Sequence, residues 1–158
     1  MGSADEEAAA KVFHAFYEAL DDLIQSKPLT KMESIWLHAA HVSSAHPFGG
    51  WARGWDEVWA TWQEGAAVFN CYKGHAERSE PIGGIHDLKV SVCGDIAIGT
   101  SIYKSTLYMS EGPIALKVNC TNIVQRDQGA WKIIHHHTDQ APPDWQAAIG
   151  RMVQRGHS

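Results

Sequence analysis

The sequence has no apolar run near the roughly 18 residues that a membrane-spanning helix requires, and no surplus of positive charge. Its 13 Lys and Arg against 18 Asp and Glu give a formal charge of -5. There is thus no electrostatic footprint for a phosphate backbone, and neither nucleic acid nor a membrane is an expected partner. Cysteine is scarce. Cys71, Cys93 and Cys120 are odd in number and lack CxxC spacing, which argues for reduced structural thiols over a disulfide framework or zinc knuckle. GxSxG, a Walker glycine loop and a glycine fingerprint after a strand are also missing, which disfavours serine hydrolase, NTPase and dinucleotide chemistry. Met1 to Ala10 is acidic rather than a basic lead into an apolar segment, so the expected location is cytoplasmic.

What is present is a globular composition with two excesses. The 158 residues, 44% hydrophobic and 20% charged, suit one domain over 1–158 with its core at about 4–140. Seven Trp and ten His, three of the latter consecutive, call for a functional account.

Ser3 with Glu6 makes a capping-box pattern. Val12, Phe13, Phe16, Tyr17, Leu20, Leu23 and Ile24 form one stripe of a helix over about 4–25, which Pro28 stops. A second capping box, Thr30 with Glu33, opens a short helix carrying Met32, Ile35, Trp36 and Leu37. Val42 to His46 reads as a brief strand, and a third helix runs from Trp55 to about Ala67. Extended runs follow at Val68–Tyr72, Ile85–Val92, Ile96–Met109, Ile114–Arg126 and Ala130–Thr138, with short turns at Cys93-Gly94-Asp95, Ser110-Glu111-Gly112 and Asp127-Gln128-Gly129. Lys73–Gly84 is long enough to act as a lid, and Asp144–Gly156 predicts a terminal amphipathic helix. Helices first and an antiparallel meander afterwards indicate an α+β fold with the helices on one face.

This order, with the string Ala45-His46-Pro47-Phe48-Gly49-Gly50-Trp51-Ala52-Arg53-Gly54-Trp55-Asp56-Glu57-Val58, resembles the nuclear transport factor 2-like superfamily, within it the SnoaL-like and ketosteroid-isomerase-like proteins. Gly129-Ala130-Trp131-Lys132-Ile133-Ile134-His135-His136-His137-Thr138 is similar to their last strand and to that of calmodulin-kinase association domains. The resemblance implies a cone-shaped domain enclosing an apolar cavity. It also implies a homodimer through the sheet face, which Lys104, Lys117, Lys132 and Ile134 would line.

The superfamily hosts many reactions, so site residues are carried over singly. His46-Pro47-Phe48-Gly49 is similar to the Asp-Pro-x-Gly string of the isomerases, whose aspartate shuttles a proton beside a carbonyl. His46 takes that place, and an ordinary imidazole accepts a proton near neutral pH. Counting back from Gly129 sets Thr121 at the position of the enolate-stabilising acid. On the first helix the partner tyrosine's register falls at Phe16, with Tyr17 one residue off.

Strict alternation along the last strand sets Trp131, Ile133, His135 and His137 on one face and Lys132, Ile134, His136 and Thr138 on the other. His135 and His137 could hold a metal if His46 or His41 supplied a third ligand; hydrogen bonding at a pocket wall is the preferred alternative. The histidine end with Thr138 also resembles iota-class carbonic anhydrases, with Thr121, Ser101 or Ser105, and Tyr103 as candidate groups. Trp62 and Trp131 read as core, Trp51 as closing the mouth, and Arg53 as a counter-ion candidate or a solvated loop arginine. His14, His38, His75, His86 and His157 read as surface.

The expected function is a small-molecule-binding protein acting as an acid-base isomerase, dehydratase or cyclase without cofactor or metal. Its catalytic candidates are His46, Tyr17, Thr121 and His137. Its substrate contacts are Trp36, Trp55, Trp59, Asn119 and His135. The alternatives are a non-catalytic ligand-binding or dimerisation module, carbonic-anhydrase-like hydration, and the histidine metal site.

Overall fold

In the computed structural model, which describes residues 3–47, 50–71 and 82–156, helix α1 (Ala4–Ile24) begins at a complete capping box. The Glu6 amide donates to Ser3 Oγ at 3.2 Å and the Ser3 amide to the Glu6 carboxylate at 2.7 Å. Its buried stripe, Ala9, Phe13, Phe16, Tyr17, Leu23 and Ile24, keeps helical spacing and faces the sheet. Helix α2 (Thr30–Ile35) starts one residue early: Leu29 is its N-cap and makes no side-chain cap, so Thr30 lies inside the helix. Trp36 then leaves the helix and bridges to Ile133.

Two three-residue strands, β1 (Ser43–Ala45) and β2 (Trp51–Arg53), precede helix α3 (Trp55–Cys71). Gly54 makes the turn into α3 at φ +81, and its amide donates to the Val42 carbonyl at 2.8 Å. The expected strand at Val68–Tyr72 is instead the last turn of α3, with Tyr72 outside the described residues. Val58, Trp62 and Phe69 are buried at helical spacing, so tertiary packing overrides the β-propensity of Val68 and Phe69.

Strands β3 (Gly83–Cys93), β4 (Ile96–Met109), β5 (Gly112–Asp127) and β6 (Ala130–Thr138) form the antiparallel meander. β1 adds parallel to β6 and β2 antiparallel to β1, giving a mixed curved sheet in the order β2-β1-β6-β5-β4-β3. Helix α4 (Pro143–Gly156) covers the end of the cone. Of the expected lid at Lys73–Gly84, residues 73–81 lie outside the described residues, while Gly83 and Gly84 belong to β3.

Two details fix α1 against the sheet. The half-buried Asp21 carboxylate accepts from the Ile82 amide at 2.6 Å and the Gly83 amide at 3.2 Å, which pins the start of β3. A Cβ at Gly99 would stand 2.6 Å from Phe13 Cε2, so the absence of a side chain there lets the Phe13 ring lie on β4.

Alternation along β4 and β5 turns Tyr103, Leu107, Leu116, Val118, Cys120 and Asn122 inward and Ile98, Lys104, Tyr108, Lys117, Asn119 and Thr121 away from the helices. On β6 the alternation breaks. Val124 pairs with Ile133 but Ile123 with His135, so Ile134 is an extra, unpaired residue. A β-bulge of this kind shifts every later side chain to the opposite face. Trp131, Ile133, His136 and Thr138 are therefore the buried residues of β6, while His135 and His137 point outward.

Candidate active site

The helices and inner sheet face enclose a cavity of about 440 Å³. Leu20, Leu23 and Ile24 of α1, Trp62, Val68 and Phe69 of α3, Leu116 of β5, and Trp145 and Ile149 of α4 form its apolar wall. Two imidazoles, His46 and His136, two phenols, Tyr17 and Tyr103, and the side chains of Thr61 and Thr138 supply its polar groups; Glu64 is the one charged side chain among the described lining residues.

His46 follows β1 and packs edge-on against Trp62, with ring centroids 4.1 Å apart. Its Nε2 lies 2.9 Å from Thr61 Oγ1 and 3.4 Å from Ser44 Oγ. The Thr61 hydroxyl proton is already donated to the Val58 carbonyl at 2.7 Å. Thr61 can then only accept, so Nε2 carries the imidazole proton and Nδ1 keeps its lone pair. Burial holds the His46 pKa down to about 4, so the ring is neutral at physiological pH. The expectation of an ordinary imidazole value is corrected here, and desolvation is the reason.

His136 is the other interior imidazole, 2% exposed and 5.8 Å from His46 between ring centroids. Its Nδ1 donates to Asn122 Oδ1 at 2.5 Å, and the Asn122 amide donates to the Tyr17 hydroxyl at 3.4 Å. Nε2 is left as the free lone pair. Burial lowers the proton affinity of His136 well below the usual imidazole range, and the nearby His46 lowers it further. Tyr17 stacks on Tyr103 at 5.3 Å, and burial raises both phenols above their ordinary range. Trp62 Nε1, Tyr103 Oη and Thr138 Oγ1 are buried without a hydrogen-bond partner among the described residues. Ser105 Oγ, close to Tyr103 Oη, likewise falls outside bonding geometry.

Of the catalytic and substrate-contact residues expected from sequence, the structure brings His46 and Tyr17 to the cavity. Thr121 is on the outer face of β5, opposite His137, and Asn122 takes the inward position beside it. Asn119 is exposed and donates to Asp139 at 2.7 Å. His135 bonds Ser43 Oγ at 2.9 Å on the outer face, and His137 stands 5.2 Å from the exposed Trp51 ring. The histidines at 46, 135 and 137 therefore do not converge on the inner cavity, because the Ile134 bulge substitutes His136 there; His46 and His137 share the lining of an outer groove instead. His41 bonds Gln125 at 3.0 Å, and no three His, Cys, Asp or Glu side chains gather among the described residues.

Trp36 is core, 2% exposed. Trp55 stacks between Trp59 at 5.4 Å and His38 at 4.0 Å, away from the cavity. Trp62, read from sequence as core, is core at 3% exposure and also lines the cavity, as do Trp145 and His136. Arg53 is exposed, with its guanidinium 5.6 Å over Trp51.

Beyond His46 and Thr138 the cavity joins an outer groove of about 700 Å³ between the β1–β2 edge and α4. Trp51, His137, Gln140 and Gln146 are among its lining residues.

The chain is similar at 27% identity to the F-box protein SKIP8 of Arabidopsis thaliana over 127 residues, which are 80% of this chain and 48% of that protein. It thus spans about half the length of the curated relative it matches. A provisionally assigned dehydratase of the nuclear transport factor 2-like family from Streptomyces avermitilis shares the fold, with a TM-score of 0.66 and 25% identity, over 86% of this chain and 95% of that one. The CaMKII hub of S. rosetta superposes with a TM-score of 0.63 at 17% identity, over 90% of this chain and 100% of that one. The SnoaL-like domain matches residues 10–141, and the chain belongs to that family.

Proposed function

We propose that the protein is a cofactor-free acid-base enzyme of the isomerase, dehydratase or cyclase type, acting on a small, largely apolar carbonyl compound held in the inner cavity. One observation carries this reading: Thr61 fixes the Nε2–H tautomer of His46, so a neutral imidazole with a free Nδ1 stands in an apolar chamber that also holds unpartnered donors. Such a base is always in its acceptor form at neutral pH. Its low proton affinity means that it takes a proton only as negative charge develops on a neighbouring substrate oxygen. The indole N–H of Trp62 and the phenol of Tyr103 are the donors suited to that oxygen. His136, held by Asn122 and Tyr17, presents a second acceptor nitrogen that can receive or return the proton.

The test is turnover of β,γ-enones and β-hydroxyketones followed by absorbance, with His46→Gln and His46→Ala checked for folding. General-base loss corresponds to about 10²–10⁴ in rate; unchanged turnover in both variants would remove His46 from the chemistry.

A second reading, a binding or assembly module, is favoured by the outer sheet face, where Ile98 is 43% and Tyr108 37% exposed. Self-association of two copies through that face is compatible with catalysis, so a dimer alone does not separate the readings.

A further inference from the structure

We infer that the ligand of this protein has two parts: a flat apolar body in the inner cavity and an uncharged, hydroxyl-rich head of sugar type in the outer groove. The inference rests on the inner cavity being a ligand site and adds what extends from it. The two chambers differ in chemistry and meet where they share His46, Pro47, Gly50, Trp51, Thr138 and Ile149, the neck between them. Thr138, 7% exposed, stands at that neck with a hydroxyl that finds no partner among the described residues.

The groove outside the neck is more polar than the inner chamber, although Pro47, Trp51 and Ile149 line both. Trp51 is 49% exposed although its ring is backed by His135, stacked at 5.8 Å. A large exposed indole beside a groove is a platform for the apolar C–H face of a pyranose. Around it stand groups suited to hydroxyls. Gln140 is exposed, and the Gln146 Nε2 donates to the Ala141 carbonyl at 2.7 Å, which leaves its carbonyl oxygen to accept. His137 adds an exposed ring nitrogen pair 5.2 Å from the indole between centroids. No lysine or arginine is among the described residues lining either chamber, so a phosphate, sulfate or carboxylate head lacks a counter-charge. Neutral amides, an imidazole and an indole fit a neutral polyol.

Three probes sharing one aromatic body test this on the full chain by calorimetry and tryptophan fluorescence: 2-naphthol, 2-naphthyl β-D-glucopyranoside and 2-naphthyl sulfate. The glucoside is expected to bind about tenfold or more tighter than naphthol, as a well-seated head contacting an aromatic anchor should, with the sulfate no tighter than naphthol. In Trp51→Ala and in Gln140→Ala the ratio of glucoside to naphthol affinity falls toward one. Equal binding of glucoside and naphthol, a sulfate as tight as the glucoside, or a ratio that survives Trp51→Ala overturns the two-part ligand while leaving the inner site standing. Failure of all three probes to bind overturns the inner site and this inference together.

Discussion

A histidine's chemistry is decided here by what holds its other nitrogen. His46 gives its N–H to a threonine that has already spent its proton on the Val58 carbonyl, and His136 gives its own to Asn122. The two rings therefore show opposite nitrogens as acceptors. Their neutrality has a consequence for stability. The His46 pKa falls from 6.5 unfolded to about 4 folded, so between those values the unfolded chain binds more protons. The associated stability is complete above pH 6.5 and is lost as the pH falls toward 4, amounting to about 3 kcal/mol. His136 acts in the same direction. Urea unfolding from pH 7 to pH 4 should show this decline, with a shallower slope in His46→Gln. An identical slope in the variant would show that His46 is not the group resisting protonation. The sequence could name His46 because His46-Pro47-Phe48-Gly49 is similar to the Asp-Pro-x-Gly string of the isomerases. It could not show that burial removes the ring from the neutral range, since desolvation depends on Trp62 and other residues distant in the chain.

Elements were legible where one local rule fixed them. The Ser3–Glu6 capping box and the stripe from Phe13 to Ile24 specify α1, and the Gly94 and Gly129 turns separate the long strands. Where packing competes with local preference, the reading failed. Val68 and Phe69 look extended by type, but Phe69 completes a buried helical row with Val58 and Trp62, and the half-buried Val68 lines the cavity. β2 has three residues, of which only Ala52 is buried, too few to show a period. The β6 bulge had the larger effect, because one unpaired residue exchanged His135 and His137 for His136 and Thr138. Its sole trace is Ile133-Ile134, two adjacent apolar residues where alternation calls for one.

Close packing of α1 on the sheet is open to a direct trial. Gly99→Ala would set a methyl within 2.6 Å of the Phe13 ring, and overpacking of that kind costs about 1–3 kcal/mol. Chemical denaturation should show that loss, and a neutral result would mean the ring has room to move. Asp21→Ala leaves the Ile82 and Gly83 amides without their acceptor, at about 1–3 kcal/mol; an unchanged unfolding midpoint would contradict a role in anchoring β3.

At the scale of the molecule, the cone keeps one sheet face for the cavity and leaves the other open. Outward Ile98 and Tyr108 lie among Lys104, Lys117 and Thr121 on that face, a mixed surface of the kind that forms interfaces between identical copies. Sedimentation velocity is expected to give a dimer, and Ile98→Lys a shift toward monomer; a wild-type monomer across the micromolar range would contradict this. The overall α+β architecture could be read from the order of patterns because most pairings join neighbouring strands. The parallel pairing of β1 with β6, and with it the placement of His46 opposite the end of β6, joins segments about 90 residues apart that share no local signal.

The central claim is that His46 and His136 form a neutral interior pair with opposite tautomers, and imidazole nitrogen NMR on the intact chain measures it directly. At pH 6 the account predicts His46 as the Nε2–H form and His136 as the Nδ1–H form, with a His46 titration midpoint of about 4. A His46 midpoint near 6.5, or a pair that exchanges freely between tautomers, would contradict it.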